Sequence, residues 1–212
     1  MADDLILYTN PMSRGQIARW MLEEVGAPYA TEILDYGTTM KSDAYKAINP
    51  MGKVPAIRHG DNVVTEGAAI CAYLADAFPA AELAPEPGDR ADYYRWLFFA
   101  AGPVEHAVTN RSLKVEPTEE QRAMVGYGQY DSVVEALDGW LSAHDYFAGD
   151  RFTAADVYAG AQIVWGIGFG TLPKLPSFEA YVARVTAREG YKRAKAIDDG
   201  LIAEMQGAGA AG

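Results

Sequence analysis

The spacing of apolar positions changes several times over the first 78 residues, and each change predicts an element. Leu5 to Tyr8 is an unbroken apolar run, the pattern of a short buried strand. Asn10-Pro11-Met12-Ser13 ends it, and Ser13 is placed to cap a helix whose apolar stripe is Ile17, Trp20 and Met21, followed by Val25. Gly26 and Pro28 stop that helix, and Tyr29 to Leu34 alternates as a second strand. Strand, helix, strand implies a parallel pair. After a polar loop from Asp35 and a short helix around Asp43 to Ile48, Ala56-Ile57 and Val63-Val64 form two strands joined at Gly60-Asp61. Thr65 is then the expected N-cap of a helix carrying Ile70, Leu74 and Phe78. The order β-α-β-α-β-β-α predicts a complete small α/β domain over residues 1–78.

Residues 79–89 hold three prolines among alanines and acids, the composition of a linker. Every later signal is helical. Arg90 to Ala101 is an aromatic-rich helix bent or broken at Gly102-Pro103. Thr118 with Gln121 forms a capping box that predicts a long helix through Tyr130, Val133, Leu137 and Leu141. Thr153-Ala-Ala-Asp156 opens a helix so rich in Ala, Gly and Val that it belongs at a domain centre, and a last helix pattern begins at Pro176-Ser177. An all-helical domain over 90–206 and a flexible Gly/Ala tail over 207–212 complete the expectation.

Composition narrows the function without naming it. The chain is 212 residues long, 50% hydrophobic and 22% charged, with no apolar run long enough to cross a bilayer and an acidic rather than basic N-terminus. A cytoplasmic protein is the expectation. The net charge of −11 argues against nucleic acid and anionic membrane surfaces as partners. Cys71 is the single cysteine, so neither an internal disulfide nor a Cys-rich metal site is available, and its place between Ile70 and Ala72 predicts a buried, inert thiol. His59, His106 and His144 lack metal-ligand spacing, and no metal is expected.

The stretch from Asn49 to Leu74 carries the chemistry. Val54 precedes Pro55, a candidate cis-proline, and its N–H and C=O are free to pair with a peptide. The helix that starts after Thr65 offers unpaired N–H groups and a positive dipole end to a carboxylate. Together they suit a small acidic peptide.

Four segments, Leu7 to Gly15, Asn49 to Ile57, Thr65 to Leu74 and Phe147 to Asp156, give the chain a resemblance to the cytosolic glutathione transferases, closest to bacterial members, over nearly its whole length. The resemblance implies a thioredoxin-like N-terminal domain plus an all-α C-terminal domain, a homodimer, and transfer of the glutathione thiol to hydrophobic electrophiles in detoxification. It implies glutathione as co-substrate and no other cofactor. Val54 matches the position whose backbone pairs with the cysteinyl part of glutathione, and Glu66 the acid near the γ-glutamyl amino group. Gly67 stands where the family usually has serine, which removes a hydroxyl from the γ-glutamyl carboxylate and weakens binding by about 1.5–3 kcal/mol. Lys53 and Lys41 are candidates for the glycyl carboxylate. The expected thiol-activating group is Ser13, which matches a position where some bacterial relatives carry serine or cysteine, with Tyr8 and Asn10 as alternates, and Met12 and His106 are candidates for the electrophile pocket. Two other functions stay open: a glutathione-dependent peroxidase or disulfide reductase, against which Ser13 counts because a cysteine would be wanted there, and a non-catalytic binding module of the same fold.

Overall fold

The computed structural model describes residues 4–209. Its residues divide into two compact units, 1–81 with 187–212 and 82–186. In the first unit, β1 (Leu5–Thr9), α1 (Gly15–Val25), β2 (Ala30–Ile33), α2 (Asp43–Lys46), β3 (Ala56–His59), β4 (Asn62–Thr65) and α3 (Gly67–Ala77) follow in the expected order. The sheet runs β2-β1-β3-β4, with β1 parallel to β2 and antiparallel to β3, and β3 antiparallel to β4. Alternation along β1 divides the core between the two faces. Leu7 is buried with Ile17, Met21, Ile57, Ile70 and Leu74, while Tyr8 packs with Leu34, Met40, Tyr45 and Ala56.

Two helix starts differ from the sequence expectation. Thr65 is the last residue of β4, and Glu66 holds the N-cap position of α3 at φ 67° with no side-chain capping bond. At α1 the N-cap position is Arg14, not Ser13, and no side chain caps it there.

The unit is closed by a helix from the far end of the chain. The sequence pattern groups α9 (Glu189–Gly209) with the helical domain; its contacts instead group it with the first unit, where it lies along α1. The Trp20 and Tyr191 rings meet edge to face at 5.0 Å, and charged groups add to this interface. Arg19 and Asp198 pair at 2.8 Å with side chains only 2% and 3% exposed, Arg188 clamps Glu24 through two nitrogens, and Arg193 pairs with Glu23 at 2.9 Å. Of the expected flexible tail, 207–209 continue α9, and 210–212 lie outside the described residues.

The second unit contains α4 (Ala91–Phe99), α5 (Glu105–Ser112), α6 (Tyr130–Leu141), α7 (Ala154–Phe169) and α8 (Pro176–Thr186). Pro103 does not break the chain between α4 and α5. A π-helical turn, Ala100–Val104, absorbs its missing N–H. The Thr118–Gln121 box forms reciprocally, at 2.9 and 3.4 Å, but opens only the 3₁₀ turn Gln121–Ala123. The long helix expected from Thr118 therefore begins at Tyr130, beyond Gly126 and Gly128. The Pro-rich segment is tied down here as well, because the Leu83 carbonyl accepts the Ala154 N–H at 2.8 Å. α7 is buried along most of its length, and its capping box is anchored through Asp156, which accepts the N–H groups of Thr153 and Phe147 and the Tyr181 hydroxyl.

Candidate functional site

The strand register gathers the expected site residues at one end of the sheet. Tyr8 pairs with Ala56, and Ala56 pairs with Thr65. The loop after β1, the Val54-Pro55 segment before β3 and the Glu66-Gly67 step after β4 therefore emerge side by side. β2 ends at the same place, because Thr9 pairs with Ile33 and the Leu34 N–H donates to the Thr9 carbonyl. Two helices, α1 and α3, start there and direct their positive ends toward it.

The segment before β3 is held from within. Lys53's carbonyl accepts the Tyr45 hydroxyl at 2.7 Å and the Asn49 amide at 2.8 Å. Burial pushes the Tyr45 hydroxyl up to about 12, so it stays protonated and donates. Gly52 adopts φ 56°, and the Lys41 amine donates to its carbonyl at 2.5 Å. A side chain at Gly52 would need the disfavoured left-handed region and would stand 3.0 Å from the Met40 carbonyl. The Val54–Pro55 bond is cis. Neither backbone polar group of Val54 is paired within the described residues. Lys41, Lys53 and Glu66 are all exposed, with Val54 and Gly67 half-buried between them.

The loop after β1 sorts the three candidates for thiol activation. Tyr8 is 4% exposed, with its ring 5.8 Å from that of Tyr45. Asn10 is 1% exposed, donating from its amide to the Leu34 carbonyl at 2.9 Å and accepting the Met12 N–H at 3.0 Å. Ser13 is half-buried, donates its hydroxyl proton to the Asn10 carbonyl at 2.6 Å and accepts the Gly15 N–H at 2.9 Å. Ser13 is the most exposed of the three, with Tyr8 at 4% and Asn10 at 1%.

Met12, in the same loop, is 52% exposed, and His106 is exposed on α5 in the second unit. Cys71 is fully buried in α3, and burial raises its thiol well above the ordinary range, which removes it as a nucleophile. The structural roles of Asn10, Asn49 and Tyr45 were missed in the sequence. Only the Asn-Pro dipeptides at 10–11 and 49–50, which mark Asx-type turns, signal that both asparagines hold loops.

Known proteins show the same two-part organisation. Residues 12–77 match the model for the glutathione S-transferase N-terminal domain, and residues 96–189 match the model for its C-terminal domain. Glutathione S-transferase GST-4.5 of Xanthomonas campestris is 26% identical over 190 residues, spanning 85% of this chain and 92% of its own. A glutathione S-transferase from Xylella fastidiosa superposes with a TM-score of 0.76 at 26% identity, covering 92% of this chain and 98% of that one. A sphingomonad glutathione S-transferase, solved with glutathione, gives 0.74 at 27% with the same coverage.

Proposed function

Because the chain belongs to the glutathione S-transferase family, we propose that it binds glutathione at the shared end of β1, β3 and β4 and activates its thiol for attack on hydrophobic electrophiles. The observation that carries this reading is the register Tyr8–Ala56–Thr65, which aligns a donor loop, a free peptide edge and a helix start. Val54 pairs its backbone with the cysteinyl residue. Glu66 takes the γ-glutamyl ammonium, and the Gly67 N–H, at the positive end of α3, takes the γ-glutamyl carboxylate. Lys53 and Lys41 serve the glycyl carboxylate, and Lys41 is already drawn to this loop by Gly52.

Ser13 donates to the sulfur. A free thiol with a pKa of ~8.5 is mostly protonated at neutral pH, and each unit of depression corresponds to about 1.4 kcal/mol. One hydrogen bond together with the α1 dipole supplies a unit or two. The hydroxyl has one proton, now on the Asn10 carbonyl, so thiol activation requires it to rotate to the sulfur while the Gly15 N–H continues to occupy its lone pair. Met12, next in the loop and exposed, faces the electrophile.

The enzyme acts in the cytoplasm as a homodimer with glutathione as its co-substrate. Tyr94 and Phe98, exposed one helical turn apart on α4, support a subunit contact. Retention on immobilised glutathione, together with turnover of a chlorinated nitroaromatic acceptor, tests the assignment. No retention at millimolar glutathione contradicts it.

A further inference from the structure

Thr9 ends β1 with its side chain fully buried, a place where threonine is uncommon. Alternation puts it on the Leu7 face of the sheet. There the first residue of α1 closes over it: a Cβ at Gly15 would stand 1.8 Å from Thr9 Oγ1. The fold thus keeps room for this oxygen, although strand pairing does not need it. Thr9 joins β2 through its backbone, opposite Ile33 and with its carbonyl on the Leu34 N–H.

Among the described residues the Thr9 hydroxyl has one hydrogen-bond partner, the Asn10 carbonyl, at a long 3.4 Å. That carbonyl is the one that holds the Ser13 hydroxyl at 2.6 Å. Two hydroxyls therefore converge on one acceptor, and Ser13 has the nearer place. Asn10 is 1% exposed, which leaves its carbonyl dependent on donors from the protein.

This sharing bears on how Ser13 is released. Without Thr9, turning the Ser13 hydroxyl to the sulfur strands a buried carbonyl, and that penalty holds the hydroxyl back. With Thr9 beside it, the carbonyl exchanges one donor for another.

We infer that Thr9 is a positioning residue for thiol activation. Its hydroxyl closes on the Asn10 carbonyl as the Ser13 hydroxyl, keeping its own proton, turns to the sulfur. Thr9 itself does not touch glutathione. The inference rests on Ser13 as the donor proposed above.

Ultraviolet titration of the thiolate of bound glutathione tests it in Thr9→Val, Thr9→Ser, Ser13→Ala and the Ser13→Ala, Thr9→Val double variant. Thr9→Val raises the bound thiol by about half a unit, a loss of thiolate of roughly threefold below that pH. Thr9→Ser keeps the wild-type value, because it keeps the hydroxyl. In the Ser13→Ala background Thr9→Val adds nothing, since no hydroxyl is left to release. Thermal unfolding accompanies each titration, and Thr9→Ala takes the place of Thr9→Val in the same cycle if the valine variant does not fold. An unchanged thiol in Thr9→Val, the same rise in Thr9→Ser, or an equal rise with and without Ser13 overturns the inference. If Ser13→Ala leaves the thiol unchanged, the donor assignment fails and takes this inference with it. If Ser13→Ala raises the thiol and Thr9→Val does not, only the role of Thr9 fails.

Discussion

The Ser13 hydroxyl bridges the Asn10 carbonyl at 2.6 Å and the Gly15 N–H at 2.9 Å, closing the loop between β1 and α1 on itself. Space in this loop is minimal. A Cβ at Gly15 would stand 1.8 Å from Thr9 Oγ1 and 3.0 Å from Ser13 Oγ, and Thr9 is fully buried. Gly15→Ala is expected to cost about 1–3 kcal/mol of stability and to displace Ser13. Urea unfolding together with acceptor turnover checks both effects, and an unchanged midpoint contradicts the close approach.

Glu66 holds φ 67° at the start of α3, a conformation that costs a non-glycine residue on the order of 1–3 kcal/mol. Glu66→Gly is therefore expected to raise the unfolding midpoint while weakening glutathione, because the carboxylate facing the γ-glutamyl ammonium is lost. Gly67→Ser is expected to tighten glutathione by about 1.5–3 kcal/mol through the restored hydroxyl. Weaker binding in Gly67→Ser would misplace the γ-glutamyl carboxylate.

Arg19 and Asp198 join α1 to α9 as a buried pair with incomplete hydrogen bonding: Arg19 Nη2 and Asp198 Oδ2 are buried without a partner among the described residues. Burial raises the Asp198 carboxyl, and the Arg19 guanidinium opposes that shift. Asp198→Ala leaves a buried cation and is expected to cost about 3–5 kcal/mol, whereas Arg19→Met with Asp198→Leu is expected to be neutral or stabilising. Denaturant unfolding of the two variants checks this. A double variant as unstable as the single one would show that the pair itself holds α9.

Asp156 is buried beneath the α7 capping box, and burial pushes its carboxyl up to about 6 from the ordinary 3.8, against the pull of its hydrogen-bond donors. Between those values the folded chain keeps a proton that the unfolded chain releases. This group's contribution to stability is therefore full below about pH 4 and is lost as pH rises through about 6, with a span of about 3 kcal/mol. Asp156→Asn has no such titration. The stability difference between wild type and this variant is expected to shrink across that window, and a difference that grows with pH would mean that the donors outweigh burial.

The order β-α-β-α-β-β-α and the Thr153 box were legible because each rests on residues within a few positions of one another, such as Ala56-Ile57 against Val63-Val64. The placement of α9 was not legible. Its partners Glu23, Glu24 and Arg19 lie at the other end of the chain. The covered stripe of Tyr191, Ala194, Leu201 and Met205 is interrupted by the buried Asp198 and does not say which unit it packs on. The Thr118 box misled for a local reason: the box forms, but a capping signal sets only where a helix can start, and Gly126 and Gly128 keep the next one from beginning before Tyr130. At the candidate site the residue types were visible in the sequence, but the commitments of Asn10 to Leu34 and of the Ser13 proton to Asn10 required the folded chain.

Ultraviolet titration of the thiolate of bound glutathione, in wild type and in Ser13→Ala, tests the proposed activation most directly. The bound thiol is expected to titrate one to two units below its free value of ~8.5 in wild type and about a unit higher in Ser13→Ala, with little change in glutathione affinity. An identical pKa in the two proteins would contradict Ser13 as the donor to sulfur.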